Sequence, residues 1–338
     1  MNSISSKNNL LSLSNTNLLR VVFEILVLIH HLYLTSTSLG SVISGALGPI
    51  AVGGFIFLSG YGVGLSFIKK KDEYVKKLIT SRIPRTYIIL FIADLCYFAL
   101  YLALGGKFNS PFSAIVSVLY LPVFNGFIPL SHWIYFLADL LVYYVIFLLF
   151  VFIFKKTKNR LLWTAIAILI VDFIIIAVLS TINYQTGSLR YLRACLCFPI
   201  GLICAAFSDK LAEIVKKYKI LLAIGLSLIS VAILVFADYR PITEYLLPIF
   251  AVLAIVTILC GVNTESRALT YLSSLVIYVY VSHEFFLLLC RHLISNMQIN
   301  LHQNVIALIV FACSSIFAIL LNAVVKKIGK IRLSKVSS

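Results

Sequence analysis

Charge is scarce in this chain. Only 12% of its 338 residues are Asp, Glu, Lys or Arg and 61% are hydrophobic, whereas soluble domains carry roughly 25% charged and 45–50% apolar residues. With a mean hydropathy of +1.05, a soluble fold is excluded. Acidic residues are the scarcest, 12 against 28 Lys and Arg. The resulting net charge of +16 would suggest a nucleic-acid partner if the cations formed one face. They stand instead in short blocks between apolar runs, the distribution of membrane-protein loops. No CxxC pair occurs, and no histidine lies at zinc-ligand spacing from the seven cysteines. Cys96, Cys195, Cys197, Cys204, Cys260, Cys290 and Cys313 lie inside or at the edge of apolar runs and read as packing residues. The polar segment 1–17 has one basic residue and no cleavage site leading into a short apolar core, so no removable signal peptide is expected. No loop exceeds about thirty residues and no internal repeat is visible, so any chemistry belongs in or on the membrane bundle.

Apolar length is abundant. About 20 apolar residues cross ~30 Å of hydrocarbon. Ten stretches qualify: 18–38, 45–68, 83–104, 132–154, 161–181, 190–207, 220–237, 244–260, 271–293 and 304–325. The expected fold is an all-α integral-membrane bundle of about ten transmembrane helices. Cytoplasmic loops collect Lys and Arg while successive helices alternate in direction. The basic blocks follow every second span: Lys69 to Arg82, Lys155 to Arg160, Lys210 to Lys219 and Lys326 to Lys335. Both termini are therefore expected in the cytoplasm, with tails at 1–17 and 326–338 flanking a transmembrane domain at 18–325. Segment 105–131 carries Pro111, Pro122 and Pro129 among aromatics. Proline disfavours a full helical span, and a surface or re-entrant element on the outer side is expected there.

Ionisable groups inside apolar spans are costly and mark functional sites. The first span holds Arg20, Glu24, His30 and His31. At 100° per residue Glu24 lies about 40° from Arg20 and His31 about 20°, whereas His30 lies about 80° to the other side. Arg20, Glu24 and His31 thus share a stripe and form the candidate catalytic set. At ~1.5 Å per residue, His31 stands about 16 Å beyond Arg20, near the midplane. The second span is glycine-rich around Phe57-Leu58-Ser59-Gly60-Tyr61. Glycine ordinarily serves close helix approach in membranes, and Ser59 and Tyr61 can in addition hydrogen-bond a buried partner. Arg82 and Arg85, three residues apart beside the lysine block, fit a polyanionic headgroup such as the phosphates of a nucleotide-containing molecule or of anionic lipid.

Candidate substrate-binding residues are His132, Trp133 and Asp139 in the fourth span and Tyr280, His283 and Glu284 in the ninth. His283 and Glu284, being adjacent, point about 100° apart and can serve different partners. Arg190 and Arg193 open the sixth span from the outer side; they either face an anionic or sugar ligand or snorkel to the interface. No GxSxG element supports a serine hydrolase.

The order of these pieces resembles the acyltransferase-3 family of integral-membrane acyltransferases. The pieces are Arg20 with His31, Phe57-Leu58-Ser59-Gly60-Tyr61, Arg82 with Arg85, His132-Trp133, and Tyr280 with His283. The resemblance implies transfer of an acyl group, usually acetyl, from a cytoplasmic coenzyme A thioester to a hydroxyl of an extracytoplasmic glycan. It implies His31 as catalytic base or acyl relay, Arg20 as the residue that orients that site, and Arg82 and Arg85 at the phosphate-bearing end of acetyl-CoA or another acyl-CoA. Longer members append an SGNH-type esterase domain, for which this chain offers no candidate segment. Asp139 stands where family sequences often carry glutamates, and Pro84 stands inside the Arg-x-x-Arg element.

The expected protein is a multi-pass O-acyltransferase of a bacterial cytoplasmic membrane, acting on a cell-envelope glycan. No tightly bound cofactor, metal, nucleic acid or obligate protein partner is expected. The alternative is a proton-coupled transporter or flippase using Glu24, Asp139, Asp172, His283 and Glu284. Transporters commonly show related halves, and the glycine-rich second span has no counterpart five helices on.

Overall fold

The structure, a computed structural model, describes residues 9–33, 38–107, 135–181, 194–236, 240–262 and 264–336, except for the side chains of 32–33, 38–45, 135, 179–181, 240–244 and 326–336. Ten α-helices occur among the described residues: α1 (Leu13–Tyr33), α2 (Ser38–Lys77), α3 (Ile83–Ala103), α4 (Tyr135–Ile153), α5 (Arg160–Thr181), α6 (Cys197–Ala206), α7 (Ser208–Phe236), α8 (Arg240–Leu259), α9 (Arg267–Met297) and α10 (Gln303–Val336). No strand occurs among these residues. Seven helical runs are long and apolar enough to cross a membrane. The chain is thus an all-α, multi-pass membrane protein. At 10 residues, α6 rises only about 15 Å, too little for a crossing by itself. Most of the proline-bearing segment expected on the outer side, together with His132, Trp133, Arg190 and Arg193, lies outside the described residues.

The structure differs from the sequence reading where basic loops are expected. The lysine block after the second span is helical: α2 runs on to Lys77 and joins α3 through a π-helical turn, Leu78–Arg82. No glycine or proline interrupts residues 65–83, and the segment stays helical on both sides of a kink. The change of direction comes at Lys71, whose backbone leaves the helical region at φ 44°, ψ −121°. A second basic segment, at the start of α7, is likewise helical and bends at Tyr218 (φ −118°, ψ 24°).

Helix α2 is the centre of the packing, against α6, α1 and α8, while α9 joins α10 to α1. The closest approach is between α2 and α6. A Cβ at Gly60 would run into the Phe198 carbonyl, and one at Gly201 into the Phe57 carbonyl. These glycines let two backbones touch, the ordinary use of small residues between membrane helices. The segment before α1 is packed rather than free: Leu10 and Leu11 are buried, and their N–H groups donate to Ser208 Oγ (2.9 Å) and Tyr61 OH (3.2 Å). This packing places α1 between α2 and α9, where one helix can address both.

Candidate active site

The stripe on α1 serves two compartments. Arg20 lines a cavity of about 380 Å³ together with Ser59 of α2, Arg82, Arg85 of α3 and Tyr280 of α9. Pro84 sits in the first turn of α3, which follows the π-helical turn directly, Ile83 N–H donating to the Leu78 carbonyl. Arg82 and Arg85 both reach the cavity. The Arg82 Nη1 donates to Tyr74 OH at 2.9 Å, and its guanidinium lies 5.0 Å over the Tyr144 ring. Arg85 Nη2 donates to Tyr278 OH at 3.4 Å. Stacking on an aromatic face stabilises a cation by about 0.5–2 kcal/mol while leaving its remaining donors for a ligand. Three guanidiniums, with no carboxylate among the described residues of the same wall, form a site for a polyanion.

His31 lies beyond this cavity. Its Nδ1 stands 3.7 Å from Glu284 Oε2, and its ring centroid is 4.9 Å from that of His283. The adjacent pair on α9, which helical phase allows to diverge, therefore converges on one imidazole. His30 packs its ring edge-on to that of His31 at 4.9 Å and sets its other side against Gly48, where a Cβ would come within 2.7 Å. Tyr280 stands between the compartments: it lines the arginine cavity, packs edge-on to Phe136 at 4.3 Å and lies 5.7 Å from the His283 ring. It is only 2% exposed. A group entering past the arginines meets Tyr280 before the histidines.

Glu24 joins neither compartment in the described residues. It is buried, and neither carboxylate oxygen has a hydrogen-bond partner among the described residues. A carboxyl group held that way within an apolar span costs several kcal/mol, in rough terms, unless something uses it.

Two expected site residues lie elsewhere. Tyr61 and Ser59, two positions apart on one helix, point about 200° apart, so they cannot both face the arginine cavity. Tyr61 instead meets Ser208 Oγ at 2.9 Å and pins the segment before α1. Asp139 belongs to a separate buried cluster between α4 and α5 with Asp172, to whose Oδ1 the Tyr143 hydroxyl donates at 3.1 Å. Tyr143 in turn stacks on Phe198 at 4.8 Å.

One ligand atom from each of His31, His283 and Glu284 falls within 4.8 Å of the others. That donor set is compatible with a cation. A tetrahedral zinc with bonds of about 2.0–2.2 Å needs its ligands roughly 3.3 Å apart, so the three would have to close inward. The same arrangement serves equally as a histidine oriented by a carboxylate, a pairing that needs no ion.

Sequence reasoning passed over the tyrosines that hold the arginines. Tyr74 lies hidden in the lysine block, and Tyr144 reads as an interfacial aromatic. The signal for Tyr278 is only its place as a second tyrosine in the polar run of α9, since at two residues from Tyr280 it points to a different face. Tyr97, fully buried on α3 beside Glu284, carries no sequence signal beyond being a tyrosine within an apolar run.

A family model described as an acyltransferase domain matches residues 14–325, nearly the whole chain. No curated protein and no solved structure matches significantly.

Proposed function

Because the chain belongs to the acyltransferase-3 family, we propose that it moves an acyl group, acetyl in the first instance, from an acyl-CoA entering at the lysine-rich end to a hydroxyl of an extracytoplasmic cell-envelope glycan. The reading takes the lysine-rich end as cytoplasmic, as the distribution of cations favours. The observation that carries it is the sequence of compartments: a 380 Å³ cavity with three arginines, then Tyr280, then His31 beside Glu284. The phosphates of the donor fit the arginine wall, which leaves the thioester to extend past Tyr280.

In the reaction the His31 imidazole takes the proton of the acceptor hydroxyl as its oxygen attacks the thioester carbonyl. The new C–O bond forms, the C–S bond breaks, and the departing thiolate recovers the proton from the imidazolium. A positioned base of this kind contributes typically 10²–10⁴-fold in rate. Glu284 accepts from the Nδ1–H of His31 and so leaves the other ring nitrogen as base. Their 3.7 Å separation is longer than a hydrogen bond, and such contacts tighten in substrate complexes. Arg20 orients the donor beneath the imidazole, and Ser59 adds a hydroxyl to the donor wall. His132, Trp133, Arg190 and Arg193 remain proposed acceptor contacts.

The test is transfer of radiolabelled acetyl from acetyl-CoA to envelope glycan in membrane vesicles. Wild type is compared with His31→Ala and His30→Ala, all shown to insert equally. The expected result is alkali-labile label in wild type and His30→Ala and its loss in His31→Ala. Transfer surviving in His31→Ala would overturn the assignment. Absence of both transfer and acetyl-CoA binding in wild type, with total envelope extract supplied, would favour the transporter reading.

A further inference from the structure

A second opening, about 590 Å³, lies at the lysine-rich end of the bundle, away from the arginine cavity. Its walls are the last turns of α2, the turn joining α4 to α5, and the corner between α6 and α7. It contains Lys71, Lys155, Lys158, Arg160 and a single carboxylate, Asp72, above an apolar floor that includes Phe67.

The cations here are arranged rather than merely abundant. Arg160 is fixed on three sides: its Nε donates to the Val151 carbonyl, its Nη1 to Asp72 Oδ1 at 2.7 Å, and its guanidinium lies 5.3 Å over the Phe67 ring. Asp72 is engaged first by Arg160, with Lys155 and Lys71 also acting on it, so the described lining carries four cations against one carboxylate. Lys71 is also where α2 breaks, at φ 44° and ψ −121°. A non-glycine residue in so sparsely populated a region costs on the order of 1–3 kcal/mol, and such strain collects at functional sites. Here the break turns Lys71 and Asp72 toward the α4–α5 turn and closes the opening. The bias of lysine toward one membrane face accounts for cations at this end. It does not account for a concave wall with a half-buried arginine brace and an aromatic floor.

We propose that this opening binds a phosphate group presented at the membrane surface. The lysines supply freely rotating donors to a tetrahedral oxyanion, and the apolar floor takes the less polar part of the molecule that carries it. Two sources share this chemistry: the headgroup of an anionic phospholipid, and the phosphorylated end of a soluble molecule.

The test uses the full chain in nanodiscs, with phosphatidylglycerol or phosphatidylcholine as lipid and pyrophosphate as soluble probe. The readouts are retained lipid by native mass spectrometry and the shift in Tm. Wild type is compared with Lys155→Gln/Lys158→Gln, both exposed, and with Lys71→Gly, which removes a charge while relieving the backbone. Lys210→Gln/Lys216→Gln, at the same end but outside the opening, is the control. The expected result is that wild type retains phosphatidylglycerol, or gains Tm from pyrophosphate in phosphatidylcholine discs. The two variants in the opening should weaken that response at least tenfold, and the control should not. A response to the lipid alone assigns the headgroup, and one to pyrophosphate alone assigns the soluble molecule. The proposal is overturned if wild type responds to neither probe, if the variants match wild type, or if the control loses as much as they do.

Discussion

Helices α7 and α9 invert the rule that apolar residues go inside. The more apolar of the two, α7, contributes none of its most apolar stretch to the interior, whereas most of the corresponding stretch of α9 is buried. On α7, Ile220, Leu228 and Phe236 are 75%, 63% and 81% exposed; on α9, Ser282, His283 and Glu284 are each about 2–3% exposed. In a bilayer the surroundings are as apolar as leucine, so burial gains little from hydrophobicity and polar groups instead seek partners inside the bundle. Polarity, rather than apolarity, marks the interior face here.

The comparison is sharpened most by Glu284. Replacing it with Gln keeps the shape and an acceptor oxygen but removes the negative charge that stabilises a protonated His31. We expect kcat for acyl transfer to fall on the order of 10²-fold, within the range of positioned acid–base effects, with little change in KM for the acyl-CoA. A chelator should leave the wild-type rate unchanged. Equal loss with chelator would instead make His31, His283 and Glu284 a metal centre, and a Gln variant as active as wild type would reduce α9 to a packing element.

Arg82→Lys comes next. Lysine keeps the charge but loses the planar stack on Tyr144 and the directed bond to Tyr74. The expected effect is a KM for acyl-CoA raised about tenfold, the equivalent of about 1.4 kcal/mol, at nearly constant kcat. A change confined to kcat would move Arg82 from donor binding to the chemistry.

These two variants also mark what the sequence could and could not disclose. Hydropathy and cation blocks locate the helical runs because both depend only on local composition. The α1 stripe is legible because helical phase is fixed at 100° per residue. The convergence of His283 and Glu284 on His31 depends instead on how α9 rotates against α1, which no single helix encodes. Tyr61 misleads for a related reason: it has the character of a site residue but meets Ser208, 147 positions away in sequence. The lysine block reads as a loop because charge marks the membrane boundary, yet residues 65–83 hold no glycine or proline and stay helical on both sides of the kink at Lys71.

The smallest expected effect is on α7. Leu228→Ala removes side-chain surface that already faces outward, so unfolding in mixed micelles should shift by no more than about 0.5 kcal/mol and transfer should be unaltered. Leu287→Ala on α9, at 2% exposure, removes the same atoms from a packed interior, where leucine truncations typically cost about 2–5 kcal/mol. The chemistry of the two substitutions is identical, so any difference reports only which face each helix turns inward. If the α7 variant were as damaging as the α9 variant, the exposed face of α7 would be covered by something other than lipid, and a second copy of the chain or another membrane protein would have to be sought against it.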